Sequence, residues 1–378
     1  MFDSNHYVPV LRWKAAEKEA LRHLFPESRK GMTPLIEFMM PRPNEYKGET
    51  KKERDARKEI KNERELLDDS VAMFKAALPK ISEDISKCWG DAPIFVDMHF
   101  IDSSIRAQAL AGLLEEGKKH NLFMIPVVNM VPVIDLESDR QTREVAVKYA
   151  KDAERGLGLR LLRSNLRRET LDSELEDFLK ANGLVEKQLD LLVDFGVADD
   201  EYESLIGCLR KIPNLGAWRT FTILSGAFPP DLTEFKVDED NRISRLDWLN
   251  WNNPTHFEKL GRHPSFGDYT IQCPVYKEPP RISYPSASIR YTANDEWLIM
   301  RGKGGPDKES KQYLAHARLL TELKEFDGAD FSYGDAYIVE KGKDLSSPET
   351  GSPTTWLIAG VNRHLTKVAK QIANLRET

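Results

Sequence analysis

Four acidic residues stand at the far ends of short apolar runs: Glu37 after Leu35-Ile36, Asp97 after Phe95-Val96, Asp194 after Leu192-Val193, and Asp268 after Phe266-Gly267. His99 lies two residues beyond Asp97, and Tyr269 directly follows Asp268. Carboxylates gathered from separate segments, with a histidine, can hold a divalent cation such as Mg or Mn. Such a cation polarises a phosphoryl or carbonyl oxygen and activates water. Glu37, Asp97, His99, Asp194 and Asp268 are therefore the candidate catalytic set. Lys14, Arg163, Arg290 and Arg301, with the phenol of Tyr269, are the candidate groups for a phosphorylated or nucleotide-like ligand. A second reading uses the same residues differently. The acids can pair with Lys14, Arg163 and Arg290, giving a neutralised mouth that binds an anion without chemistry. Each acid also has a plain structural use, since Asp97 and Asp194 can cap the helices that follow them. No ligand spacing diagnostic of a metal is present.

Other arrangements say less. Gly302-Lys303-Gly304-Gly305 could cradle a phosphate through backbone N–H groups but lacks the spacing of a P-loop, and a loop explains it equally. Ser225-Gly226-Ala227 is not a nucleophile elbow, which needs Gly-x-Ser-x-Gly. Trp248 and Trp251, beside Asn250, Asn252 and Asn253, could stack on a base or a sugar or could pack a rim.

These residues must be positioned by the elements that carry them. Eight apolar runs read as strands: Tyr7–Leu11, Thr33–Phe38, Pro93–His99, Leu122–Val128, Gly158–Arg163, Leu189–Gly196, Trp218–Leu224 and Phe266–Thr270. Helical patterns separate them, and the runs are apolar almost throughout, as expected of parallel strands covered on both faces. Eight such units predict a closed (β/α)8 barrel of the TIM type, with Tyr7–Leu11 beside Phe266–Thr270. The competing open sheet would want a Gly-rich turn after the first strand, where the chain has Arg12-Trp13-Lys14. In a barrel the site lies at the C-terminal ends of the strands. That rule adds Arg12, Asn129 and Ser225 to the ring.

Residues 1–276 are expected to form the barrel, with a mixed-charge insertion at about 41–65 that reads as a solvated helix or arm. Residues 277–378 add a β-hairpin (Ala287–Thr292 and Glu296–Arg301) and C-terminal helices packed on the barrel. The last helix is expected to start with Ser352 as N-cap and Pro353 at its first position. Trp356, Gly360 and His364 share one of its faces, with Gly360 allowing close approach. Asp268 is expected to share one pocket with Arg290, re-aimed into the mouth by Gly267.

The chain has 378 residues, 40% hydrophobic and 31% charged, with a net charge of -6. That balance suits a globular protein with a sizeable core and argues against a basic nucleic-acid coat. Three scattered cysteines suggest reduced thiols in a cytoplasmic setting. Neither a signal peptide nor a membrane span is expected.

Taken in order, Tyr7-Val8-Pro9-Val10-Leu11-Arg12-Trp13-Lys14 with Glu19-Ala20-Leu21, Thr33-Pro34-Leu35-Ile36-Glu37, Phe266-Gly267-Asp268-Tyr269, Ile289-Arg290-Tyr291-Thr292, and Trp356 through Gly360, Asn362 and His364 resemble the phage beta protein family and its bacterial relatives. Many members have a paired His where this chain has Arg363-His364. The resemblance implies a phage or bacterial origin, with a prophage or antiviral defence neighbourhood, and brings no established activity. Two functions follow as expectations. One is a metal-assisted phosphoester hydrolase acting on a phosphorylated or nucleotide-like ligand. The other is a non-catalytic sensor in a phage–host conflict system, binding a ligand or a protein partner at the same mouth.

Overall fold

The computed structural model describes residues 2–46, 60–130, 137–278, 286–304 and 310–375. Eight parallel strands close a barrel in the order β1 (Tyr7–Arg12), β2 (Leu35–Met39), β3 (Ile94–Phe100), β4 (Met124–Asn129), β5 (Leu157–Leu162), β6 (Leu189–Val197), β7 (Thr220–Gly226) and β9 (Ser265–Asp268). Closure is between β1 and β9, with Tyr7 opposite Phe266 and Val8 opposite Gly267. This is the expected (β/α)8 barrel.

Side-chain alternation sorts every strand into two faces. Val8, Val10, Leu35, Phe95, Ile125, Val127, Leu192 and Leu224 fill the interior. Tyr7, Leu11, Ile36, Val96, Leu191, Val193 and Phe266 face outward into the layer between barrel and helices. Gly267 faces inward because there is no room for more. A Cβ there would meet Leu224 at 2.3 Å and the Val8 carbonyl oxygen at 2.8 Å.

The helix after β2 runs Glu63–Cys88 and starts at a capping box formed by Asn62 and Glu65. It is longer than its apolar pattern suggests, and Pro79 lies within it. Of the charged insertion expected at about 41–65, residues 47–59 lie outside the described residues. Tyr46 and Ile60, which flank them, form an antiparallel bridge.

Beyond the barrel, β10 (Ser288–Thr292) and β11 (Glu296–Arg301) pair as the expected antiparallel hairpin. A third strand, β8 (Asp240–Ser244), joins β11 on its other edge. The sequence reading passes over β8 because it is mostly polar and lies exposed. Pro254–His256 and Glu258–Leu260 are two short 3-10 turns, while Leu246–Trp251 and Tyr333–Gly342 are helices that the sequence reading does not place. The final helix, Pro353–Asn374, begins as expected with Ser352 accepting from the Thr355 N–H. Gly360 sits where a Cβ would meet Ile271 at 2.8 Å and the Arg290 carbonyl oxygen at 2.9 Å, so the helix packs directly against hairpin backbone. Trp248 and Trp251 are buried and pack on Phe266, with ring centroids 5.3 and 5.2 Å away. No described helix is long and apolar enough to cross a membrane.

Candidate functional site

At the C-terminal end of the barrel the inward positions turn polar. Glu37, Asp97 and Asp194 reach the same height on β2, β3 and β6, and all three converge on Arg160 of β5. Arg160 Nη1 donates to Glu37 Oε1 at 2.9 Å and to Asp97 Oδ2 at 2.7 Å. Its Nε and Nη2 donate to Asp194 Oδ2 at 3.0 and 2.6 Å. Nη2 also donates to the Tyr269 hydroxyl at 2.8 Å, which in turn donates to Asp194 Oδ2 at 2.6 Å. Arg160 is 4% exposed, so these charges meet nearly out of water.

The second oxygens of two acids are also spent. Asp97 Oδ1 accepts from the His99 N–H and Asp194 Oδ1 from the Gly196 N–H, both at 2.8 Å. Each carboxylate thus ties its own strand end and does not cap the following helix. Glu37 differs. Its Oε2 is buried without a hydrogen-bond partner, 3.8 Å from Arg12 Nε, which also lacks one. Burial pushes the Glu37 carboxyl above the usual carboxylate range, against the pull of Arg160. Burial, reinforced by Asp194, likewise pushes the Tyr269 hydroxyl well up, so it stays a protonated donor. Asn129 Oδ1 is a third unpartnered atom at the rim. Beside it Asn129 Nδ2 lies 3.4 Å from His99 Nδ1, and a space of about 30 Å³ separates the ends of β3 and β4.

The chain leaving β9 crosses this mouth as a strap. Thr270 takes a left-handed φ of 57°, costly for a β-branched residue, and its buried hydroxyl has no partner. Arg12 Nη1 donates to Gln272 Oε1 at 2.9 Å, and Nη2 to the Cys273 and Pro274 carbonyls at 2.9 and 3.1 Å. Gln272 Nε2 donates to Glu17, and Tyr276 lays its ring near Arg12 and Lys14.

Asp268 does not enter the mouth. Tyr269 takes the inward position, so Asp268 faces outward to the C-terminal helix. The Tyr7 hydroxyl donates to Asp268 Oδ1 at 2.7 Å, and His364 Nε2 lies 2.8 Å from Oδ2. His364 Nδ1 is approached by the Thr292 hydroxyl at 3.0 Å and by Trp297 Nε1 at 3.5 Å. Burial lowers the His364 pKa. A neutral imidazole, donating through Nε2 and accepting at Nδ1, satisfies all three partners. Despite burial, His364 holds the Asp268 carboxyl below its ordinary range. Asp268, His364 and Thr292 have no solvent exposure, so this relay is closed to any substrate. Arg290 is elsewhere, donating to the Ile271 carbonyl at 2.8 Å and lying over the Phe228 ring. The shared Asp268–Arg290 pocket is therefore not formed.

The remaining nominated cations do not converge either. Arg163 starts a short helix past β5 and pairs with Asp199 at 2.7 Å and Glu201 at 2.9 Å. Arg301 donates to the Thr233 and Phe235 carbonyls. Lys14 donates to the Tyr276 hydroxyl at 3.2 Å. The Gly302 and Lys303 N–H groups are taken by Ala287 O and Gln312 Oε1, while Gly305 lies outside the described residues. Among the described residues, no group of three or more His, Cys, Asp or Glu side chains is placed to hold a metal ion. The residue that sequence reasoning missed is Arg160. Its signal was an arginine inside the apolar run Leu157-Gly158-Leu159-Arg160-Leu161-Leu162. Such a charge needs buried acids from other strands.

The family described as Beta protein matches residues 7–370. No curated protein sequence matches the chain. Among solved structures, the apo 3-keto-D-glucoside 4-epimerase of E. coli is similar at 10% identity and a TM-score of 0.31, over 55% of this chain and 81% of that one. Malate synthase of Haloferax volcanii, in a pyruvate/acetyl-CoA ternary complex, is similar at 13% identity and a TM-score of 0.31, over 76% of this chain and 83% of that one.

Proposed function

The chain belongs to the Beta protein family, and we propose that its barrel mouth is a non-catalytic binding site, as in a sensor, for a small hydroxyl-bearing molecule. The observation that carries this reading is the pair of unpartnered atoms Arg12 Nε and Glu37 Oε2, one donor and one acceptor 3.8 Å apart. A hydroxyl both accepts and donates, so one such group completes both atoms, and Asn129 Oδ1 offers a second acceptor at the rim. Leaving these atoms unmade costs about 1–3 kcal/mol each, which a fitting ligand recovers.

Charge supports the same choice. Three carboxylates face two guanidiniums, so the mouth has no surplus positive charge for a phosphate. The metal-assisted phosphoester hydrolase reading asks for carboxylates free to take a cation and for cations gathered on a phosphate. Here the carboxylates point at Arg160 and the nominated cations point away. The phage–host setting of such a sensor rests on the sequence resemblance alone.

Thermal-shift titration tests the reading. Small polyols should raise the melting temperature of the parent and not of Glu37→Gln, while inorganic phosphate and AMP should leave it unchanged. The proposal fails if Mn or Mg instead supports hydrolysis of bis(p-nitrophenyl) phosphate and Asp97→Asn abolishes it.

A further inference from the structure

Outside the barrel wall, between the outer face of β2 and the Glu63–Cys88 helix, lies a cavity of about 440 Å³. That volume is within the usual range for small-molecule sites. Phe38, Met39, Met40, Phe74, Ala77 and Ile81 supply apolar walls. A purely greasy cavity would need nothing more, but this one has a polar end.

Trp13 lines that end. Its side chain is within the core, 8% exposed, yet its indole Nε1 has no hydrogen-bond partner. Lys14 follows it and also lines the cavity. Among the described residues Lys14 pairs with no carboxylate and donates only to the Tyr276 hydroxyl. The other two cations there are engaged, Lys18 with Asp84 at 2.9 Å and Arg42 with Glu278. With Lys18 and Arg42 paired, Lys14 is the lining cation left without an ion pair among the described residues. An unmade buried N–H and an ammonium held in no direct ion pair both favour an anionic acceptor.

We propose that this cavity binds an amphipathic organic anion, with an aliphatic body among Phe38, Met40, Phe74 and Ile81 and a carboxylate at Lys14 Nζ and Trp13 Nε1. The apolar body would be desolvated by the walls, and the head would form charge-assisted hydrogen bonds. A cationic ligand would meet like charge, and a fully polar anion would leave the walls uncovered. This site is separate from the mouth, since Phe38 and Trp13 belong to the outward layer and Glu37 to the inward one.

Isothermal titration of the full chain with octanoate, octanol and octylamine tests the assignment. Octanoate should bind saturably at one site. Octanol should bind about tenfold more weakly, the worth of a hydrogen bond to a charged group. Octylamine should not bind. Lys14→Met should weaken octanoate by about the same factor and leave octanol unchanged. Ala77→Phe, which fills the cavity from the helix, should abolish both, with circular dichroism checking its fold. If Ala77→Phe does not fold, the Lys14→Met comparison of octanoate with octanol decides alone. The proposal is overturned if octanol binds as tightly as octanoate, if Lys14→Met leaves octanoate unchanged, or if folded Ala77→Phe retains binding. Capture by phosphatidylglycerol vesicles that survives Ala77→Phe would mean adsorption to an anionic surface and would also overturn it.

Discussion

Arg160→Met is the sharpest test of how the barrel mouth is held. Methionine keeps an unbranched apolar stem and removes every donor. Glu37, Asp97 and Asp194 would then face one another in a space where each is less than 5% exposed. Removing one partner of a buried ion pair typically costs about 3–5 kcal/mol, because the remaining charges are left uncompensated. Arg160 has three carboxylate partners, so the upper part of that range is expected at pH 8. The loss should shrink toward pH 5. Without the guanidinium Glu37, whose carboxyl burial already pushes up, gains a proton more readily and relieves part of the repulsion. Adding Glu37→Gln, Asp97→Asn and Asp194→Asn to the methionine variant should recover most of the loss, because the charge requiring Arg160 is gone. Denaturant titration followed by fluorescence and circular dichroism gives the numbers, provided the two transitions coincide. A methionine variant within about 0.5 kcal/mol of the parent at both pH values, the range of an ordinary surface change, would refute the reasoning. The carboxylates would then be compensated by something other than Arg160.

Two further outcomes follow from the outer side of β9. Asp247 is fully buried, and burial, then the nearby Asp268 charge, push its pKa to about 7. Its folded pKa lies above its unfolded value, so its contribution to stability is full below about pH 4 and is lost as pH rises through 7. Asp247→Asn should flatten the stability profile between pH 5 and 8, with a gain of a few kcal/mol at pH 8, and a profile parallel to the parent would contradict this. Asp268→Asn should cost about 3 kcal/mol in the folded state, since its amide would face the His364 N–H, and a cycle with His364→Ala should show coupling above about 1 kcal/mol. Additive losses in that cycle would mean the two residues do not act as one contact.

The barrel was legible because parallel strands are covered on both faces and so read as continuous apolar runs. The same property hid the site. A run apolar on both faces has no alternation, so it does not tell which residues point inward. Asp268 and Tyr269 are adjacent, and only the register of β9 against β1 and β7 decides which of them enters the mouth. Arg163 looked like the last residue of its strand, but β5 ends at Leu162, and the inward arginine is Arg160, three residues earlier. β8 was illegible for the opposite reason. Its residues are polar and exposed, and it is a strand because β11 offers it an edge.

The two sides of the barrel wall meet in five consecutive residues. Asp268 holds the C-terminal helix through His364, Tyr269 holds Arg160 and Asp194, Thr270 takes the strained turn between them, and Gln272 receives Arg12 from the mouth. Ile271 completes the run by meeting the C-terminal helix at Gly360 and accepting from Arg290 of the hairpin. Backbone this short has little slack, so a shift of the helix that moves Asp268 must be absorbed at Thr270 or passed to Tyr269. The left-handed turn at Thr270 persists only because contacts on both sides hold it. The helix and hairpin added after the barrel are therefore tied by direct contacts to the residues that build the mouth.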